Sequence, residues 1–256
     1  MIYKVLILIG CFIVGYLCGS IPFGVIVSKV FYKKDPRLYG SKNTGGTNVG
    51  RVAGKKAGII VIILDALKMA IPLILGYVLF VHVPAIRDFM SDGDQTRNVV
   101  GYGNTLNDLA YYLVALGAFL GHPFSIFLGF KGGKMVACFV GYTCSIYWTA
   151  VPLFAPVFFI TKKITKITAI SSIYMTGAAM LYAWIVYILF ATVGPEFANY
   201  FAMFGVGPRI CLYSPIVSTV AFILLVLRHK DNLKRMASGT ENKSTDKLEI
   251  KEEQSN

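Results

Sequence analysis

The chain has 256 residues, 55% of them hydrophobic, and a formal net charge of +12. Its mean hydropathy of +0.63 excludes a soluble domain, since several segments reach the roughly 18 apolar residues that mark a bilayer span. In a polytopic membrane protein the excess positive charge points to basic loops against anionic lipid, not to nucleic acid.

Long apolar runs fall at 2–31, 57–83, 109–129, 135–160, 168–192 and 210–228. The first is too long for the core of a signal peptide, so a retained span is expected. Within it, "GSIPFG" (Gly19–Gly24) breaks the helix before the apolar run ends. The polar loop "YGSKNTGGTNVGRVAGKKAG" (Tyr39–Gly58) follows. It interleaves Ser41, Asn43, Thr44, Thr47, Asn48 and Arg51 with Gly45, Gly46 and Gly50. Such a loop reads either as a flexible linker or as short donors and one guanidinium converging on an oxyanion.

In the second run Asp65 and Lys68 lie one helical turn apart, which predicts a buried pair. His122, at the end of the third run, reads as a cap or a hydrogen-bonding residue within the bundle. After it comes "GFKGGKMVAC" (Gly129–Cys138), with two open readings. One is a basic turn whose glycines supply the bend. The other is a nest in which the Gly132 and Gly133 amides and Lys134 hold a phosphate. Further on, "TAISSI" (Thr168–Ile173) places Ser171 and Ser172 where they would cap the next helix or donate to a phosphate. The last basic loop, "RHKDNLKRMASGTEN" (Arg228–Asn242), puts Arg228, His229, Asn232 and Arg235 on one helix face. Beyond it the tail is polar and charged. Cys11, Cys18, Cys138, Cys144 and Cys211 show neither a disulfide framework nor CxxC metal spacing, so free thiols are expected.

Loop charge sets the topology. Basic residues gather around the first loop, at Lys131 and Lys134, at Lys162, Lys163 and Lys166, and from Arg228 to Arg235. The segment 84–108 instead carries Asp88, Asp92, Asp94 and Asp108 against Arg87 and Arg97. The positive-inside rule wants all four basic loops on the cytoplasmic face. Six simple spans would put 129–134 and 161–166 on opposite faces. The conflict disappears if 135–160 enters and returns as two half-helices, broken near Trp148–Pro156, where Pro152 and Pro156 interrupt the hydrogen bonds. The expected fold is an all-α polytopic membrane protein of about seven transmembrane helical segments, including a pair of half-helices at 135–160. Its N-terminus lies outside and its C-terminus inside.

Taken in order, "GSIPFG", "GSKNTGGTN" with Arg51, "GKKAG", "LDALK", "GHPFSIFLGFKGGKMVA", "SSI" and "RHKDNLKRMASGTEN" resemble the bacterial membrane glycerol-3-phosphate acyltransferases that use acyl phosphate, the PlsY family. The resemblance covers nearly every segment from Gly19 to Glu241. It implies a multi-pass enzyme of the bacterial cytoplasmic membrane with its active site facing the cytoplasm. The implied reaction moves a fatty acyl group from long-chain acyl phosphate to the 1-hydroxyl of sn-glycerol 3-phosphate. Lysophosphatidic acid and phosphate are the products, in the first step of phospholipid synthesis. The implied catalytic residues are Arg51, Lys134, His229 and Asn232. The implied substrate-binding residues are Ser41, Asn43, Thr47, Asn48, Gly132, Gly133, Ser171 and Ser172. No metal or cofactor is implied; membrane lipid and a peripheral enzyme that forms acyl phosphate are the implied partners. On this reading 1–235 is the membrane acyltransferase domain and 236–256 a flexible cytoplasmic tail.

The chain departs from the family pattern in five places. Lys42 and Met135 stand where glycine is usual, Gly46 for alanine, Cys138 for threonine and Asp231 for glutamate. Because "KMVACFV" continues as a good helix former, Met135 is expected to open the half-helix with an ordinary φ, leaving Gly132 and Gly133 to make the nest. The chemistry suits the residues. An acyl phosphate is already activated, so no nucleophilic side chain is needed, and two phosphates held together demand cations and neutral donors. The leaving phosphate, rather than His229, is expected to take the hydroxyl proton. A transporter of phosphorylated metabolites is the alternative, but it would spread polar groups along a path to the outer face.

Overall fold

The computed structural model describes residues 1–91, 106–147, 149–194, 200–201 and 211–243. The first apolar run forms α1 (Ile2–Ser20) and α2 (Phe23–Tyr32). Pro22 cannot donate a backbone hydrogen bond and holds Ile21 extended, at φ −56° and ψ 119°, so the helix stops where "GSIPFG" predicted. The short α3 (Gly46–Val52) leads into α4 (Lys55–Tyr77), which ends in a π turn at Val78–His82. After α5 (Pro84–Ser91) come α6 (Leu106–Gly121), α7 (Val136–Ile146), α8 (Ala150–Thr165) and α9 (Thr168–Val193). The chain then forms α10 (Tyr213–Arg228) and α11 (Lys230–Ala237).

Among the described residues four helical stretches are long and apolar enough to cross a membrane: Ile2–Tyr32, Lys55–His82, Leu106–Leu128 and Thr168–Val193. With α7, α8 and α10 they make the expected seven helical segments. The half-helix pair is present. At 11 residues, α7 extends about 16 Å, roughly half of a hydrocarbon core. Its deep end is satisfied within the protein. Tyr142 donates to the Ser214 carbonyl at 3.0 Å, and the Tyr147 and Ser214 hydroxyls lie 3.0 Å apart.

The cause of the break, not its place, corrects the expectation. Helix α7 ends at Ile146 and α8 begins at Ala150, ahead of both prolines, and α8 runs through Pro152 and Pro156. Pro152 is the third residue of α8, where its missing N–H would have had no helical partner anyway. Thr240 donates its amide to the Arg235 carbonyl at 2.8 Å, a contact that lies past residue 236, where the tail was expected to begin. Residues 244–256 of the expected flexible tail, and most of the 84–108 and 193–209 loops, lie outside the described residues.

Close backbone approach joins α1 to α6. A Cβ on Gly15 would lie 2.1 Å from the Val114 carbonyl oxygen, and one on Gly121 would lie 2.2 Å from that of Tyr16. In lipid, where burying apolar groups gains little, such small-residue seams let helices meet. Packed beside them is a core that includes Phe119, Phe139, Tyr142, Met69 and Leu73. The outward faces of α1 and α4 instead carry exposed Leu6, Ile9, Ile13, Ile59, Ile63 and Ile71, as lipid contact requires. The predicted Asp65–Lys68 pair is present at 2.9 Å within α4. All five cysteines are free.

Candidate active site

A cavity of about 380 Å³ opens where the loops before and after the helices converge. Its polar end is lined by Ser41, Asn43, Thr47, Asn48 and Arg51 from the first loop and α3. Lys134 enters from the α6–α7 loop, Ser172 from α9, and His229 and Asn232 from the last loop. Residues 122, 134 and 41–51 therefore meet 168–172 and 229–242 around one space, although they lie far apart in sequence.

The first loop is shaped by Asn48. Its side-chain amide donates to the carbonyls of Pro36 at 2.8 Å, Tyr39 at 3.1 Å and Asn43 at 2.9 Å. Its Oδ1 accepts from the Ser41 amide at 2.9 Å. Asn48 thus spends its hydrogen bonds on the loop's own turns, as a buried amide must. Asn43 closes a smaller turn by accepting the Gly45 amide at 2.8 Å. Thr47 and Arg51 lie one turn apart on α3 and so share a face. Among the described residues Arg51 makes no hydrogen bond or ion pair, which leaves its guanidinium available to an anion.

The opposite wall is a chain of charge-assisted contacts. The Lys134 ammonium donates to Asn232 Oδ1. The Asn232 amide donates to Glu241 Oε1 at 2.6 Å, and Arg235 donates to Glu241 Oε2 at 2.7 Å. Glu241 and Asn242 also line the cavity, although the sequence pattern does not single them out. The usable signal was an acidic residue closing the basic stretch "RHKDNLKRMASGTEN". Burial lowers the Lys134 pKa to about 8, with Glu241 opposing the shift. His229 is pushed down to about 4, first by burial and also by the Lys134 charge. Its Nδ1 lies 2.8 Å from the Leu225 carbonyl, which can only accept, so the neutral ring carries its proton there and Nε2 is an acceptor.

The glycine nest is not formed as expected. The Gly132 and Gly133 amides donate to the Pro123 and His122 carbonyls at 2.9 and 3.2 Å, so neither is free for a phosphate. Their carbonyls accept from Arg228, at 3.0 Å for Gly132 and 3.4 Å for Gly133. Neither glycine lines the cavity. Both are required for close packing: a Cβ on Gly132 would lie 1.9 Å from the His122 carbonyl oxygen.

Met135 is a second correction. It caps α7 at φ 64° and ψ 4°, in the left-handed region, rather than opening the helix with an ordinary φ. An N-cap residue lies half outside the helix, so the incoming loop and not helix propensity sets its φ. Lys42, the other position where the resemblance led to an expected glycine, also has a positive φ, of 53°. The amides that open α7 belong to Val136 and Ala137, which line the cavity.

The serines divide. Ser171 is fully buried, donates to the Ile167 carbonyl at 2.9 Å and does not line the cavity. Ser172 lines it, with its hydroxyl donating to the Thr168 carbonyl at 2.9 Å. Because α9 already begins at Thr168, both hydroxyls sit a turn inside the helix and bond backwards rather than capping it.

Away from the charges the cavity turns apolar. Val136, Ala137 and Val140 of α7 face Ala155, Phe158 and Phe159 of α8. An adjoining recess of about 100 Å³ shares Val140, Ala155 and Met175 with the cavity and extends to Phe139, Phe154 and Ala179. The site therefore joins a cationic, hydrogen-bonding end to a slot between helices fit for a hydrocarbon chain.

Known proteins resemble this chain along most of its length. The model of the glycerol-3-phosphate acyltransferase family matches residues 9–239. A glycerol-3-phosphate acyltransferase of Mycoplasmopsis agalactiae is 31% identical over 94% of this chain and 96% of its own length. Glycerol-3-phosphate acyltransferase 2 of Bacillus anthracis is 34% identical over 90% of this chain and 96% of its own. A crystal structure of PlsY, an integral membrane glycerol 3-phosphate acyltransferase, in its glycerol 3-phosphate form, superposes with a TM-score of 0.66 and 26% identity. That match covers 94% of this chain and 95% of the other.

Proposed function

The chain belongs to the glycerol-3-phosphate acyltransferase family, and from that membership we propose that its acyl donor is a long-chain acyl phosphate. The fatty acyl group passes to the 1-hydroxyl of sn-glycerol 3-phosphate, giving lysophosphatidic acid and inorganic phosphate. One observation carries this reading: a single cavity holds Arg51, Lys134, His229 and Asn232 at one end and an apolar slot at the other. A phosphate joined directly to a fatty acyl chain has that same division.

Arg51 and Thr47, with Ser41 and Asn43 beside them, hold the phosphate of glycerol 3-phosphate. Lys134 and the N-terminal end of α7 hold the acyl phosphate head, while its chain lies between α7, α8 and α9. Two phosphate dianions a few ångströms apart repel strongly, and the cations reduce that repulsion without reorganising as the reaction proceeds. The glycerol oxygen attacks the acyl carbon and forms the ester bond. The bond from that carbon to the phosphate oxygen breaks, and the departing phosphate takes the hydroxyl proton. His229 Nε2 accepts a hydrogen bond from the glycerol 2-hydroxyl and so orients the neighbouring 1-hydroxyl, whose proton stays free to reach the phosphate. Asn232, held by Glu241, keeps the Lys134 ammonium pointed at the developing charge.

The four basic loops support a site facing the cytoplasm from a bacterial membrane, with the N-terminus outside. A peripheral enzyme supplies the acyl phosphate. The reading is tested by incubating purified protein with palmitoyl phosphate and glycerol 3-phosphate. Mass spectrometry should then find lysophosphatidic acid and one phosphate released per ester. Hydrolysis of palmitoyl phosphate without ester would contradict it.

A further inference from the structure

A buried charge cluster, of which Asp65 and His122 also line the cavity, stands apart from the groups the reaction uses. Asp65 and Lys68 pair at 2.9 Å with side chains no more than 4% exposed. Lys68 also donates to the Ile21 carbonyl at 2.7 Å, and its ammonium lies 5.9 Å from the centre of the Phe23 ring. It therefore grips both sides of the break between α1 and α2. On the far side of the pair, Asp65 Oδ1 lies 3.8 Å from His122 Nδ1.

Each end of the cluster leads to a different half of the site. Next to Phe23, a Cβ on Gly24 would lie 1.7 Å from the Thr44 carbonyl oxygen, so the start of α2 is pressed against the Ser41–Arg51 loop. At the other end His122 accepts the Gly133 amide on its carbonyl. Its Nε2 would lie 2.2 Å from a Cβ on Gly133, the residue before Lys134. A 3.8 Å separation is too long for a hydrogen bond, and Gly133 packs against Nε2. His122 is thus set to support the Lys134 loop rather than to move a proton.

Two charges inside a membrane helix are costly to bury, and neutralising each other does not by itself recover that cost. Here they stand where α4 passes between the two loops. We propose that Asp65, Lys68 and His122 are positioning residues that hold the first loop and the Lys134 loop at the separation acyl transfer requires. The kinetic consequence rests on the acyl-transfer reading, whereas the loop separation can be measured without substrate.

The test removes the pair together, as Asp65→Asn with Lys68→Met in the full chain, so that no buried charge is left alone. Spin labels at the exposed positions Lys42 and Lys131, in a background without other cysteines, report the distance between the loops. The double variant should broaden that distance distribution about twofold and lower kcat about tenfold or more, with both KM values within about threefold. Should the double variant fail to fold, His122→Phe keeps the ion pair and a ring beneath Gly133, and it should lower kcat with KM unchanged. A folded variant with wild-type distances and wild-type kcat would overturn the positioning role. Wild-type protein without transferase activity would sink only the functional reading, and the distance measurement would still decide this one.

Discussion

The Lys134 ammonium donates to Asn232 Oδ1 across 98 positions of sequence, and Glu241 holds Asn232 from behind. This contact ties the α6–α7 loop to the last loop at the polar end of the cavity. Lys134→Ala is expected to lower kcat/KM for acyl phosphate roughly a hundredfold or more, the scale for losing a transition-state charge donor. Asn232→Ala should lose less, since the ammonium survives without its guide. Steady-state phosphate release, with folding checked by thermal melt, measures both. A near-normal Lys134→Ala enzyme would make the loop only a turn.

The rate should fall on the alkaline side. Lys134 loses its proton through about pH 8, well below an ordinary lysine, and with it the charge that faces the donor. Lys134→Arg, fully charged across that range, should remove the alkaline limb of the kcat/KM profile even if it lowers the maximum. Stability runs the other way. Both Lys134 and His229 have lowered pKa values in the folded protein, so the unfolded chain binds more protons in each window. Stability should therefore rise with pH between about 4 and 6.5 from His229, and between about 8 and 10.5 from Lys134. A melt series that falls with pH between 4 and 6.5 would contradict the His229 environment.

Met135 offers a sign test. At φ 64° a side chain costs roughly 1–2 kcal/mol relative to glycine, whereas inside a helix alanine is better than glycine by about 1 kcal/mol. Both Met135→Gly and Met135→Ala lose the same buried thioether packing. Comparing the two isolates the backbone. Met135→Gly should melt above Met135→Ala; the reverse order would mean that Met135 has ordinary helical φ.

Much of the fold is legible in local pattern. Hydropathy marks the spans, Pro22 marks the break in the first, and the spacing of Asp65 and Lys68 predicts their pair. Loop charge alone demands the in-and-out pair at 135–160. What could not be read depends on long-range register. The Gly132 and Gly133 amides are spent on His122 and Pro123 because the loop doubles back, which no short window encodes. The pattern of the first loop points to Asn48 as a substrate donor, yet its side chain satisfies four groups of its own loop. Glu241 lies past a turn in a polar stretch, where composition suggests disorder, yet two side chains of α11 hold it.

That fold-back predicts a sharp boundary at the C-terminus. A chain ending after Lys243 should keep its kcat/KM, because the contacts of Glu241 are retained. One ending after Gly239 should lose stability and activity together, since Asn232 and Arg235 then lack their carboxylate partner. Equal activity in both truncations would show that Glu241 has no part in holding Asn232.

On the proposed function, this cavity takes its acyl group from a phosphate rather than a thioester. The most direct measurement compares initial rates of lysophosphatidic acid formation by the purified protein with palmitoyl phosphate and with palmitoyl coenzyme A, at equal concentration and saturating glycerol 3-phosphate. The site geometry predicts ester from palmitoyl phosphate and none above background from palmitoyl coenzyme A. Comparable rates with the two donors, or ester from the thioester alone, would contradict it.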